Sequence, residues 1–495
     1  MPDKKPHLII FNPDQFRSDA LAHLGGQGST PNLDRICRED AVSFAQAYCQ
    51  NPVCTPSRCS FMSGWYPHVH GHRTMYHMMQ PHEPVLLRSL KQAGYHVWWG
   101  GKNDLIPGQH GYDDVCSHYN RSDRELTGYN LHAETWWRGP SDGDNYYSFY
   151  AGRLTPRELG PYIDEDWAHV LDAIDLIDSY DGDQPLCIYL PLLYPHPPYG
   201  VEEPYYSQID RSRVEPPLPP YGRWDDKPSI LRGLYERQRL SGWSRERLTE
   251  LKATYLGMCA RIDDQFGQLM AALKRSGRYD DSAVFFFSDH GDFTGDYGLV
   301  EKTQNTFQDC LTRVPLIVKP PRDAGVRPGV RDALVELVDF PATVADLAGL
   351  TFDWTQFGRS LLPLIQGQTD QHRDAVFCEG GRRPDEWHCS EFQSTSSGSD
   401  DGLYSPRLSL QTGSGPEHSL AVMLRTDRYK YVRRLNENDE LYDLQQDPRE
   451  MHNLIEEPDL QDILISLKER MLRFLFETAD VVPFQPDERS FSRKE

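Results

Sequence analysis

The 495-residue sequence has no apolar run that approaches the roughly 18 residues needed to cross a lipid bilayer. Residues 1–7 lead directly into the apolar run 8–11, and no apolar leader with a small-residue cleavage site precedes that run. Positive charge is scarce as well, because 52 Lys and Arg residues stand against 74 Asp and Glu residues and give a net charge of −22. These absences argue against a secreted protein, a membrane partner and a nucleic-acid partner, so we expect a cytoplasmic protein.

Paired-cysteine motifs are also absent. The ten cysteines are scattered along the chain, and no two of them form a Cys-X-X-Cys pair. Without an export signal, reduced thiols are the expected state. The apolar content of 38% and the charged content of 25% are ordinary for a folded chain. The length suffices for two or three domains, although one large α/β domain would take most of it.

Short apolar runs alternate with amphipathic stretches through the first 350 residues. The runs 8–11, 97–99, 186–193, 283–287 and 316–318 are each too short for a helix and predict buried strands. Residues 170–177 and 255–273 place their apolar side chains at helical spacing, which predicts helices packed on a core. Strands separated by helices indicate a mostly parallel sheet that is covered on both faces. Such sheets bind their ligands beyond the carboxyl ends of the strands.

Polar residues follow four of these runs at that predicted edge. They are Asn12, Asp14 and Gln15 after the first run, Lys102, Asn103 and Asp104 after the second, His196 after the third, and Asp289 and His290 after the fourth. The sequence therefore predicts that acids, a lysine and histidines meet at one edge of the sheet.

The segment 54–58 reads Cys-Thr-Pro-Ser-Arg. A lone cysteine is usually a small buried apolar residue, but Cys-X-Pro-Ser-Arg is the motif at which a thiol is converted to the aldehyde formylglycine. The flanks carry further matches in Thr30-Pro31-Asn32-Leu33-Asp34, Phe44, Asn51-Pro52-Val53 and the segment from Thr74. On these residues the chain resembles the formylglycine-dependent (type I) sulfatases of the alkaline-phosphatase-like superfamily.

The resemblance implies an α/β fold with a large mixed, mostly parallel sheet sandwiched by helices. We expect this catalytic part to cover residues 1–370 and a smaller C-terminal α+β subdomain to cover residues 371–495. The subdomain is expected to contain an antiparallel sheet, with a strand at 424–433, and a final helix at 464–476. Residues 381–417 are rich in Ser, Gly, Asp and Pro, which is typical of a long polar loop or of a lid over a substrate.

The resemblance also implies one divalent metal ion. Its ligands are expected to be Asp14, Gln15, position 54, Asp289 and His290. Oxygen-rich ligation makes Ca²⁺ the expected ion, with Mn²⁺ or Mg²⁺ as alternatives. The metal and Arg58 are expected to stabilise an ionised oxygen of the hydrated aldehyde, which attacks sulfur. The second hydroxyl of the hydrate would then expel sulfate.

Lys102, His196 and Lys302 match the positions that hold the sulfate oxygens and protonate the leaving alcohol in this family. Two positions depart from the family pattern. Gln15 replaces a usual second acid and, with Asp289-His290, resembles the phosphonate monoester hydrolase and phosphodiesterase branch. Asp104 replaces a histidine, so we expect either His70 or His72 at the substrate or a different arrangement on the leaving-group side.

Three functions follow as hypotheses. The first is a hydrolase of sulfate esters, the second is a phosphonate monoester hydrolase or phosphodiesterase with the same nucleophile, and the third is a non-catalytic ligand-binding relative. The implied partners are a small anionic ester substrate and a formylglycine-generating maturation enzyme, and an oligomer is not excluded. The aromatic segment 129–150 offers either packing or a surface for a sugar ring.

Overall fold

The computed structural model describes residues 5–157, 160–391, 402–412, 415–486 and 489. The predicted apolar runs all become strands. The strands are β1 His7–Pro13, β2 Val42–Tyr48, β3 His96–Trp99, β4 His118–Tyr119, β5 Tyr150–Leu154, β6 Leu186–Leu192, β7 Tyr199–Glu202, β8 Ser282–Phe287, β9 Leu316–Lys319, β10 Gly329–Glu336, β11 Val376–Gly380, β12 Ala421–Arg425, β13 Tyr429–Arg434 and β14 Glu440–Asp443.

The helices fill the intervals between these strands. They are α1 Pro31–Glu39, α2 Cys54–Ser63, α3 Pro67–His70, α4 Leu86–Gln92, α5 Glu165–Ser179, α6 Tyr205–Gln208, α7 Ser229–Arg237, α8 Arg245–Arg275, α9 Asp309–Thr312, α10 Asp339–Ala348, α11 Leu362–Ile365, α12 Ser405–Gln411 and α13 Gln461–Glu477. Within the described ranges, no helix is both long and apolar enough to span a bilayer.

Eight strands form the main sheet in the order β10-β2-β9-β8-β1-β6-β3-β4. Strand β1 lies between β6 and β8 and is parallel to both. Strand β9 is antiparallel to both of its neighbours, and the other pairs are parallel. The prediction of a mixed, mostly parallel sheet is therefore confirmed.

Alternate side chains of β1 enter two separate cores, as the two-residue period of a strand requires. Phe11 lies in the core under α8, where its ring centroid is 5.5 Å from that of Phe266. Leu8 and Ile10 lie in the opposite core, which also contains Phe61 of α2 and Phe340 of α10. Helices thus cover both faces, and the interior of the sheet is closed to ligands.

A second sheet of four antiparallel strands has the order β11-β12-β13-β14, and α13 packs against it. The predicted single strand at 424–433 is wrong, because β12 and β13 form a hairpin there. The backbone N–H of Thr426 donates to the carbonyl of Tyr429 at 2.8 Å and closes the turn. Residues 425–428 read Arg-Thr-Asp-Arg, and this run of four polar residues interrupts the alternation at the turn.

The polar segment 381–417 is not loop throughout. Its described part contains the helix α12, which packs on α7 and buries Arg407 and Leu408. Residues 392–401 and 413–414 of this segment lie outside the described residues. The lid expected from composition therefore stays a prediction.

Candidate active site

The carboxyl ends of β1, β3, β6 and β8 meet at one edge of the main sheet, as parallel neighbours must. Asp14 follows β1, Lys102 follows β3, His196 follows β6, and Asp289 follows β8. Cys54 is the first residue of α2, so the positive end of that helix dipole points at the same place. Gln15 has φ of 69°, a left-handed conformation that is uncommon for a residue with a side chain.

Four side chains form a compact cluster that fits a divalent cation. The nearest ligand atoms of Asp14, Cys54, Asp289 and His290 lie within 4.8 Å of one another, and all four residues are buried. His290 Nδ1 lies 2.9 Å from the carbonyl of Gly291 and donates to it, which leaves the Nε2 lone pair 3.2 Å from Cys54 Sγ. Two carboxylates and one imidazole nitrogen aimed at one point suit Ca²⁺, Mg²⁺ or Mn²⁺.

Arg58 is fully buried and holds the two carboxylates in place. Its Nη2 lies 2.9 Å from Asp14 Oδ2 and 2.9 Å from Asp289 Oδ2, and its Nη1 donates to Asn12 Oδ1 at 3.0 Å. The Oδ2 atoms of both acids therefore face Arg58. Asp14 Oδ1 lies 3.5 Å from Cys54 Sγ, and Asp289 Oδ1 accepts the backbone N–H groups of Gln15 at 3.1 Å and His290 at 3.0 Å. In this structure the anionic partners of Arg58 are protein carboxylates.

Lys302 joins the cluster to His196. Its ammonium donates to Gln15 Oε1 at 2.8 Å and to His196 Nε2 at 2.9 Å, and it lies 2.9 Å from Glu301 Oε1. The other ring nitrogen of His196, Nδ1, donates to the Pro197 carbonyl at 2.6 Å. Gln15 was predicted as a metal ligand, and it lies at the site. Its side-chain oxygen accepts a hydrogen bond from Lys302, and its side-chain NH₂ group donates to Asp292.

The local charges decide which groups are ionised. Burial alone would raise the pKa of Asp14, but the positive charges of Lys102 and Arg58 hold it well below its usual range. Burial and the charge of Asp14 raise the pKa of the Cys54 thiol, so the thiol is neutral at pH 7. Burial and the positive charge of Lys302 lower the pKa of His196 well below its usual value, so this ring is a neutral acceptor.

Lys102 and Asp104 both reach the site. Lys102 Nζ lies 2.7 Å from Asp14 Oδ2, 3.5 Å from Cys54 Sγ and 2.8 Å from Asp104 Oδ2. The Lys102 side chain is 18% exposed, more than those of Asp14 and His290, so the approach from solvent lies on its side.

His70 does not join this group. It bonds to Glu83 at 2.8 Å, and its ring lies 4.6 Å from that of Trp65. Trp65 follows the far end of α2, and a rise of about 1.5 Å per residue separates that end from Cys54 by roughly 14 Å. His72 bonds to the same Glu83 at 3.0 Å. Neither histidine is therefore placed where the sequence analysis expected one.

Two residues near the site were not predicted. His132 has its ring 5.2 Å from that of His196. Arg407 of α12 lies 3.2 Å from Glu301 Oε2, on the carboxylate that also contacts Lys302. Only the aromatic content of the segment 129–150, which contains His132, signalled the first, and no motif marks Arg407.

Comparison with known proteins agrees with this geometry. The family model described as Sulfatase matches residues 6–350, and the model described as N-sulphoglucosamine sulphohydrolase, C-terminal, matches residues 417–476. The chain is 24% identical to an arylsulfatase of Clostridium perfringens, over 95% of this chain and 94% of that protein. It is 25% identical to a choline-sulfatase of Rhizobium meliloti, over 92% and 83%. The crystal structure of a phosphonate monoester hydrolase of Agrobacterium radiobacter superposes with a TM-score of 0.75 at 21% identity, covering 97% of this chain and 100% of that one.

Proposed function

This chain belongs to the sulfatase family, and we propose that it hydrolyses sulfate esters at a formylglycine formed from Cys54. One observation carries the proposal. Cys54, at the head of a helix, lies with Asp14, Asp289 and His290 in a cluster of cation-ligand geometry, and Lys102 lies beside it. A buried cysteine of purely structural function needs none of these partners.

The state of the thiol supports conversion. Burial and Asp14 raise the pKa of Cys54, and a neutral thiol is a poor nucleophile. Formylglycine at this position would supply a hydrated aldehyde oxygen as the nucleophile. This step requires a maturation enzyme as a partner of the newly made chain.

Asp14, Asp289 and His290, with the oxygen of the modified residue 54, would hold the divalent cation. Gln15 Oε1 accepts from Lys302 at 2.8 Å, so Gln15 is assigned to the lysine and not to the cation. A cation in this cluster supplies positive charge that stabilises an ionised oxygen. Arg58 fixes the two carboxylates from behind, so their orientation does not depend on the substrate.

Lys102 and Lys302 supply the positive charge for the anionic ester. Both ammonium groups remain charged, since nearby acids outweigh the effect of burial on the pKa of each. They would act together with the N-terminus of α2, whose first residue is Cys54.

Lys302 is also the proton donor that we assign to the departing alcohol. His196 is neutral, and the proton on its Nδ1 is used by the Pro197 carbonyl, so its Nε2 accepts the Lys302 proton. This hydrogen bond orients the ammonium, which would give one proton to the leaving oxygen and become a neutral amine. We further propose that residues 1–370 form the catalytic part and that residues 371–495 contribute Arg407 to it.

A second candidate function rests on Gln15. An amide in place of a second acid leaves one negative charge fewer beside the substrate, as in the phosphonate monoester hydrolase branch that Asp14-Gln15 and Asp289-His290 resemble. We keep hydrolysis of phosphonate monoesters as the alternative at the same site.

Parallel turnover assays test the two candidates. With matured protein and added divalent metal, we expect 4-nitrophenyl sulfate to be hydrolysed with a higher kcat/KM than a phenyl phosphonate ester. The Cys54→Ala variant should lose both activities. A reversed preference would assign the protein to the alternative, and activity that survives Cys54→Ala would refute the nucleophile.

A further inference from the structure

A cavity of about 280 Å³ lies next to the proposed site, outside the cation cluster. The segments 126–134 and 193–198 form most of its wall. Its apolar lining comes from Leu126, Tyr129, Leu131, Tyr194 and Pro198. This volume is at the small end for ligand pockets, which suits one ring rather than an oligomer.

The cavity meets the reaction centre at two histidines. His196 lines it and at the same time accepts the hydrogen bond of Lys302. His132 lines it as well and is exposed, so a bound group can contact this ring. If the alcohol portion of a sulfate ester occupied the cavity, the oxygen that joins it to the sulfur would therefore lie near His196 and Lys302.

The outer end of the cavity is apolar and accessible. Leu126 is 46% exposed, and Trp136, which is 55% exposed, packs against Tyr129 with a centroid distance of 5.4 Å and an interplanar angle of 58°. Exposed apolar side chains that gather around an opening indicate a binding surface.

The charged residues that line the cavity are mostly engaged by protein partners. Asp166 accepts the backbone N–H groups of Leu193 at 2.8 Å and Tyr194 at 2.7 Å. Asp164 is bound by Arg261 and by a backbone N–H of α5.

Glu134 pairs with Arg157, whose guanidinium lies 4.7 Å from the Tyr129 ring. Glu165 also lines the cavity but is exposed to solvent at its rim. Among the described residues that line the cavity, Arg157 is the Lys or Arg side chain, and its pairing with Glu134 leaves it unsuited to a second sulfate group. Its Tyr129 face is already covered by a cation, which disfavours a quaternary ammonium ligand.

We propose that this cavity binds the alcohol portion of the ester, and that this portion is an uncharged single aromatic ring. The inference rests on the proposed hydrolytic function and extends it to a substrate class. Burial of the ring against Leu126, Tyr129 and Tyr194 supplies the binding free energy, and the histidines contact the ester oxygen.

Two variants and a matched control test the assignment. Leu126→Asp places a charge in the lining, and Tyr129→Ala removes one wall. Leu435→Asp makes the same change as the first variant at a residue that is 52% exposed outside the cavity. The substrates are 4-nitrophenyl sulfate and methyl sulfate, which lacks the ring.

We expect Leu126→Asp and Tyr129→Ala each to lower the ratio of kcat/KM for the aryl ester to that for methyl sulfate by about tenfold or more. Leu435→Asp should leave the ratio unchanged. An unchanged ratio in both cavity variants overturns the proposal. A wild-type preference for choline sulfate or for a polysulfated disaccharide over the aryl ester overturns it as well.

Binding measurements separate this inference from the proposed function. The Cys54→Ala protein should bind 4-nitrophenyl sulfate in calorimetry, and the added Leu126→Asp change should weaken that binding about tenfold. If wild type hydrolyses no sulfate ester but this difference in binding is found, the proposed function fails and the subsite stands. If sulfate esters are hydrolysed and the difference is absent, the subsite fails and the function stands.

Discussion

The buried carboxylate of Glu301 contacts both Lys302, the proposed proton donor, and Arg407 of the polar segment 381–417. Variants of these two cations therefore test the two contacts in one set of measurements. The Glu301 side chain is 3% exposed and lies between the two cations, Lys302 at 2.9 Å and Arg407 at 3.2 Å. Replacing either cation by methionine leaves the carboxylate with the other one. Replacing both leaves a buried carboxylate without a cation.

The contacts of Glu301 determine the expected changes in the free energy of unfolding. Each single variant loses hydrogen bonds to a charged group, which costs about 1.5–3 kcal/mol in the free energy of unfolding. An uncompensated buried charge costs about 3–5 kcal/mol. The double variant should therefore be less stable than the sum of the single effects predicts, with a coupling of about 0.5–3 kcal/mol.

Steady-state kinetics distinguish the expected effects of replacing Lys302 and Arg407. Lys302→Met should lower kcat/KM for 4-nitrophenyl sulfate by about 10²–10³-fold, because a charged donor to the reacting group is lost. Arg407→Met acts through Glu301 alone and should lower kcat/KM by about tenfold at most, since Lys302 keeps its bonds to Gln15 and His196.

The assay is urea denaturation of the four proteins at one fixed metal concentration, together with steady-state kinetics. Arg232→Met is the control, because Arg232 and Glu236 are 56% and 60% exposed and their pairing is worth only about 0.3–0.5 kcal/mol. Additive stability effects in the double-variant cycle would refute the shared carboxylate. A loss of activity below tenfold in Lys302→Met would refute the assignment of that lysine.

Two further predictions concern the metal and the pH dependence. Chelation should abolish activity. It should also lower the free energy of unfolding by about 2.7 kcal/mol relative to protein with metal at one hundred times its Kd, and Asp14→Asn should remove this difference. Equal stability with and without chelator would contradict the metal site. Burial and the neighbouring Asp164 raise the pKa of Asp166 to about 7, so its protonated form is favoured in the folded state and its stabilising contribution is lost as pH rises from about 4 to about 7. The free energy of unfolding of wild type relative to Asp166→Asn should therefore be larger at pH 5 than at pH 8, and the same difference at both pH values would contradict it.

The sequence was sufficient for the fold because local patterns and the family motif agree. Short apolar runs predicted five of the eight strands of the main sheet, and family membership confirms the resemblance carried by residues 54–58 and their flanks. The convergence of Asp14, Lys102, His196 and Asp289 could also be predicted, since each follows a strand of one mostly parallel sheet.

The remaining features depend on contacts between distant segments. His132 and Arg407 reach the site from segments with no fixed spacing to the motif, and their partners are far away in the sequence. His70 shows the converse, because a histidine near Cys54 in the sequence is carried to the opposite end of α2. The hairpin at 421–434 is a local feature instead, and the run of four polar residues at 425–428 could have predicted its turn.

The central claim is that position 54 is an aldehyde in the working enzyme. Trypsin releases residues 39–58, which contain Cys49 and Cys54, so Cys49 serves as an internal thiol control. Mass spectrometry of alkylated, active protein should show this peptide with one alkylated cysteine, at position 49, and an aldehyde at position 54. Full activity in protein whose peptide carries two alkylated cysteines would contradict the account.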